Sequence, residues 1–149
     1  MDADARAAID QLLSESEITR LVHEYCHGVD KRDAERFLSV WAADGVWQVG
    51  PDEVFRGHDA ILAAAQRQWD AFGQMHHWSA NLVLDVEPGE DRATGESDVD
   101  VTVEMTDGRW VRGGGTYKDT YVREHGRWKI ARREAVAHFH LYGESADIR

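Results

Sequence analysis

The chain has 149 residues, 42% hydrophobic and 30% charged, the size and composition of one folded domain. A formal net charge of −11 argues against nucleic acid or an anionic membrane as the main partner, because phosphate binding needs a basic surface. There is no apolar run near the roughly 20 residues of a membrane span. The acidic start MDADARAAID has no signal-peptide core, and the single Cys26 leaves no internal disulfide, so a cytoplasmic setting is expected.

Ser14-x-x-Glu17 has the form of a capping box and predicts a helix start. After it, Ile18, Leu21, Val22, Tyr25, Cys26 and Val29 recur on one helical face. Gly28 weakens the last turn, and Asp33 has the position of a new N-cap, with Phe37, Leu38 and Trp41 facing inward. Asp44-Gly45 is a turn signal. Val46 to Val49 reads as a strand broken by Gly50-Pro51, and Val54 to Arg56 as a second short one. A third helix opens at Gly57, with Ile61, Leu62, Ala65, Trp69 and Phe72 at helical spacing.

From there the pattern is β. A strand is expected from about His76 to Val86, ending at Pro88-Gly89. Val99, Val101 and Val103 alternate with acids and threonine, which gives one apolar face. Asp107-Gly108 is a hairpin turn, Gly113-Gly114-Gly115 marks a bulge or bend, and His125-Gly126 turns into a last strand from Trp128 to about Tyr142. Three helices followed by a long antiparallel meander make an α+β fold, with a curved sheet closing over the helices as a cone with one open mouth. One domain over 1–149 is expected, its core over about 14–142.

Asp30 ends a helix, where the dipole disfavours a carboxylate, so it calls for a partner. His76 and His77 open the long strand some 45 residues on. An Asp at a helix end and a His at a strand start can form a general base, the carboxylate orienting the imidazole. If that strand runs without a bulge, alternation puts His77 with Ser79 and Asn81, and His76 with Trp78, Leu82 and Leu84. Six tryptophans pack a core or an interface, or wall an apolar pocket. His138-x-His140 places two imidazoles on one strand face without a third ligand at motif spacing, so no metal is expected. Asp98 and Asp100 read as the wet face of a strand or as a second pocket acid, and His27 as a helix-end or surface residue.

Four segments carry a family resemblance: Gly28-Val29-Asp30-Lys31-Arg32, Trp41 to Trp47, His77-x-x-x-Asn81-Leu82, and Tyr121-x5-Arg127-Trp128-Lys129 with Gly126 before it. In this order they resemble the SnoaL-like branch of the nuclear-transport-factor-like superfamily, which includes scytalone dehydratase, bile acid 7α-dehydratase and hexachlorocyclohexane dehydrochlorinase. The resemblance spans about residues 14 to 142 and implies the cone-shaped α+β barrel. It also implies a catalytic Asp30–His77 dyad, with Tyr25 at the position of the dehydratases' phenol, where the dehydrochlorinase has Lys. Arg133 matches an Arg of the dehydrochlorinase, while the bile acid enzyme's Arg falls on Ala137 here.

The activity so implied is a cofactor-independent lyase, dehydratase or dehydrohalogenase, on a small apolar substrate, with His77 as base and Tyr25 or Arg133 helping the leaving group. Alternatives in the same fold are an isomerase, a polyketide-type cyclase, a noncatalytic ligand binder and a dioxygenase small subunit. Tyr25 is equally consistent with a core tyrosine, and Arg133 with a structural salt bridge. Homo-oligomerisation, trimer or dimer, is expected through the outer sheet face, with Trp110 or Trp128 contributing.

Overall fold

Two layers make the fold, three helices held in the concave face of one bent sheet. The computed structural model describes residues 2–142. Helix α1 (Ala3–Asp30) is followed by a short α2 (Ala34–Ser39), then strand β1 (Trp41–Gln48), β2 (Val54–Arg56), helix α3 (Gly57–Ala71), and strands β3 (Met75–Val86), β4 (Arg92–Glu104), β5 (Trp110–Glu124) and β6 (Arg127–Tyr142). The sheet order is β2-β1-β6-β5-β4-β3. Only β1 and β6 run parallel; every other neighbouring pair is antiparallel. The sheet is mixed and does not close on itself: β2 and β3 are its two edges.

Helix α1 begins eleven residues before the predicted cap. Asp2 is its N-cap, its carboxylate accepting from Ala5 N at 2.8 Å. The Ala-rich start has enough helix propensity to propagate through Ser14, which is buried inside the helix and accepts from an Arg123 guanidinium at 2.8 Å. Asp33 caps α2 as expected, accepting from Arg36 N at 3.0 Å. Trp41 stands at the start of β1 rather than on α2, and β1 runs straight through Asp44-Gly45. That dipeptide forms a bulge, where the β1–β6 register shifts between Trp41 and Val46.

The glycine run bends the sheet as expected. The β5–β6 register shifts between Gly114 and Gly115, leaving His138 as the extra residue on β6. A Cβ at Gly115 would lie 2.4 Å from the carbonyl oxygen of Val136, so the two backbones approach as only glycine permits. Inside the bend, Tyr25, Phe37, Trp41, Trp47, Trp69, Tyr117, Tyr121 and Trp128 build an aromatic core with Ile18, Val29, Ile61 and Ile130. Trp128 is buried in it, which corrects its expected place on an outer face. Trp78 is 68% exposed on β3. Among the described residues, no helix is long and apolar enough to cross a membrane.

Candidate active site

The end of α1 is fixed from three sides. Gly28 is buried, and a Cβ there would lie 2.7 Å from the N and Cα of Phe37. Its role is therefore to let α2 pack against the last turn of α1, beyond the local weakening expected from the sequence. Trp69 on α3 donates its indole N–H to the carbonyl of Val29 at 2.8 Å. Arg32, at φ 55°, donates to the carbonyls of Phe72 at 2.9 Å and Gly73 at 2.8 Å. These contacts hold Asp30, the last residue of α1, against the free edge of β3.

His77 meets it there. Its Nδ1 lies 2.5 Å from Asp30 Oδ1, and its backbone N–H donates to Asp30 Oδ2 at 2.8 Å. The carboxylate thus finds two donors at a helix end whose dipole disfavours it. Both side chains are nearly shielded, with 10% of His77 and 13% of Asp30 exposed.

The expected alternation on β3 fails beyond Ala80. Asn81 adopts φ 56°, and the β3–β4 register shifts between Ala80 and Val83. This bulge flips the pattern, so Met75, His77 and Ser79 share the inner side with Leu82, Leu84 and Val86, while Asn81 leaves it. Asn81 instead donates to Asp98 at 3.0 Å. His76 points outward, its ring 5.4 Å from that of Trp78. The bulge keeps His77 on the core side without a polar stripe along the whole strand.

His77 lines a cavity of about 430 Å³ on the concave face of the sheet. Its walls are Val99, Val101 and Val103 from β4, the three glycines of β5, and Ala135 and Ala137 from β6, closed by Phe72 and Met75. No tryptophan walls it; Trp41, Trp47, Trp69 and Trp128 are buried in the core instead. Polar side chains at its surface are Gln68, His77, Tyr117 and His140. Exposed Ala137 and His140 mark its mouth.

Tyr25 and Arg133 stand one layer behind this wall. Tyr25 is 2% exposed and packs edge-on, with ring centroids 6.3 Å from His77 and 5.8 Å from Tyr117. Arg133 is wholly buried. Its Nε donates to Asp119 Oδ1 at 2.9 Å and one terminal nitrogen to Oδ2 at 2.7 Å, while Tyr121 also donates to Asp119 at 2.7 Å. The guanidinium carbon lies 4.2 Å from the ring centres of both Tyr25 and Tyr117, a cation between two aromatic faces. Burial pushes the Tyr25 phenol up to about 12 and that of Tyr117 well above 10, so both carry their protons at neutral pH.

The remaining sequence candidates separate. The β6 bulge puts His140 on the cavity and turns His138 to the other face, where its Nε2 is 3.4 Å from the Thr116 hydroxyl, so the two imidazoles do not share a face. Among the described residues there is no cluster of metal-ligating side chains. Asp98 accepts from Asn81 and Thr116, which hold its carboxyl below the usual range, and Asp100 pairs with Arg112. Neither lines the cavity. His27 is exposed on α1. The sequence reading missed Asp119 and Tyr117; the alternation of Tyr117, Asp119 and Tyr121 on one face of β5 was the available signal.

The comparisons agree with this architecture. Hexachlorocyclohexane dehydrochlorinase 1 of Sphingobium indicum is 27% identical over 126 residues, covering 83% of this chain and 81% of that protein. The crystal structure of the dehydrochlorinase LinA superposes with a TM-score of 0.88 at 25% identity, over 96% of this chain and 98% of that one. A Novosphingobium aromaticivorans protein named as a candidate scytalone dehydratase gives a TM-score of 0.82 at 23% identity, over 95% and 93% of the two chains. The model of the SnoaL-like domain matches residues 10–134, and the chain belongs to that family.

Proposed function

We propose that this protein is a cofactor-independent lyase of the dehydratase or dehydrohalogenase type, acting on a small apolar substrate. The observation that carries it is the His77 Nδ1–Asp30 contact of 2.5 Å at the wall of an apolar cavity. The similarity to a dehydrochlorinase supports the same class of reaction. With Nδ1–H donated to Asp30, Nε2 carries the free lone pair and serves as the base. It takes a proton from a carbon of the substrate; the C–H electron pair becomes the new double bond, and the leaving group departs with its own pair. Asp30 stabilises the imidazolium so formed. The apolar wall keeps water from competing and strengthens each remaining polar contact.

The test is turnover on a panel of small β-hydroxy ketones and chlorinated cyclohexanes. His77→Ala and Asp30→Asn should each lower kcat by about 10²–10⁴-fold. Full activity in His77→Ala on any confirmed substrate would refute the assignment.

A further inference from the structure

The dyad supplies a base, but a leaving oxygen also needs a donor. Of the four polar side chains at the cavity surface, His140 is exposed at the mouth and Gln68 is half-buried on α3. Tyr117, at 5% exposure, is the deep one besides His77. The Tyr25 ring packs edge-on against both, with centroids 6.3 Å from His77 and 5.8 Å from Tyr117. Among the described residues, neither Arg133 nor any other Lys or Arg lines the cavity.

From this we infer that Tyr117 is the residue that donates a hydrogen bond to a substrate oxygen, with Tyr25 and Arg133 as positioning residues behind it. The inference rests on the proposed elimination and narrows its substrate to an apolar molecule bearing a carbonyl or hydroxyl oxygen. With no ammonium or guanidinium at its surface among the described residues, the cavity is poorly suited to a bare leaving anion. A neutral donor suits an oxygen whose charge grows only in the transition state. Arg133, its charge balanced by Asp119, lies against the π face of Tyr117 and polarises the phenol without touching the ligand. The Tyr25 ring, packed edge-on against Tyr117 at 5.8 Å between centroids, fixes the place of the Tyr117 phenol at the wall. In a dehydration the carbon-bound proton passes to His77 Nε2, the C–O bond breaks with its pair on oxygen, and the proton on Nε2 joins the departing hydroxide as water. Tyr117 keeps its own proton throughout.

The test needs no turnover. Acetophenone is titrated into the protein, and its carbonyl stretch is read by infrared difference spectroscopy. The stretch should lie lower in the wild type than in Tyr117→Phe, and Tyr117→Phe should bind about 3- to 10-fold more weakly, the loss of one neutral hydrogen bond. Tyr25→Phe, which keeps the ring packed on Tyr117, should keep most of the shift, as a residue that positions the donor rather than supplying it. Ethylbenzene, which lacks the oxygen, should bind the wild type more weakly than acetophenone, a comparison that does not depend on any variant folding. The same stretch in wild type and Tyr117→Phe, no preference for acetophenone over ethylbenzene, or no saturable binding would each overturn the assignment. If instead His77→Ala retains turnover while the carbonyl shift persists, the elimination reading falls and the Tyr117 contact stands.

Discussion

Removing Asp119 tests the electrostatic logic of the interior most directly. Its carboxylate and the Arg133 guanidinium are both fully shielded, and two hydrogen bonds of 2.9 and 2.7 Å join them. In Asp119→Ala the guanidinium is left charged and buried against the faces of Tyr25 and Tyr117, and Tyr121 loses its acceptor. Breaking one side of such a pair costs about 3–5 kcal/mol. For a chain of this length that corresponds to a fall in Tm of roughly 8–16 °C. Urea unfolding at pH 7, followed by far-UV circular dichroism, gives the number. The double variant Asp119→Leu/Arg133→Met removes both charges at similar volume and should recover most of the loss, since a buried pair and an apolar replacement are often close in stability. It should not recover the acetophenone carbonyl shift, because the cation behind Tyr117 is gone. An Asp119→Ala cost below about 1 kcal/mol, of the size seen for exposed pairs, would refute the reasoning.

Two further outcomes follow from the glycine bend and from the buried phenols. Gly114→Ala and Gly115→Ala should differ, although the residues adjoin. An added Cβ at Gly114 meets the ring of Phe139, which is 44% exposed and free to swing away, whereas at Gly115 it meets the Val136 carbonyl oxygen at 2.4 Å. Gly115→Ala should therefore cost about 1–3 kcal/mol more in urea unfolding, and equal costs would refute the bend as drawn. At alkaline pH, Tyr25 titrates near 12 in the folded chain and near 10 when unfolded, so the folded state holds its proton longer. That contribution is complete below pH 10 and is lost as pH rises towards 12, at a limiting slope of about 1.4 kcal/mol per pH unit. Stability measured from pH 9 to 11.5 should fall for the wild type and fall less steeply for Tyr25→Phe.

The parts of this molecule that could be read from the sequence are those governed by local rules. The face of α1 from Ile18 to Val29 is a helical period, and the valines of β4 alternate as a half-buried strand must. Asp33 and His125-Gly126 carry their own capping and turn chemistry. Each error has a nonlocal cause. Ser14 resembles a cap, but the residues before it are good helix formers and its hydroxyl serves Arg123, 109 positions away. Asp44-Gly45 resembles a turn, but pairing with β6 carries the strand across it as a bulge.

The site shows the same division more sharply. Asp30 was conspicuous because a carboxylate is misplaced at a helix C-terminus unless something donates to it. His77 was harder, since its face depends on where β3 bulges, and the left-handed turn at Asn81 is set by pairing with β4. Arg133 was visible as an arginine between alanines, but its partner was not, because any of 28 acids could have answered it. The β5–β6 register decides, placing Asp119 directly opposite Arg133. Tyr117 lies two residues before Asp119 on the same face, and so the strand pairing that neutralises the arginine also brings a phenol between the arginine and the cavity. Pairing across β5 and β6, rather than any motif along one of them, thus determines which tyrosine can reach a ligand.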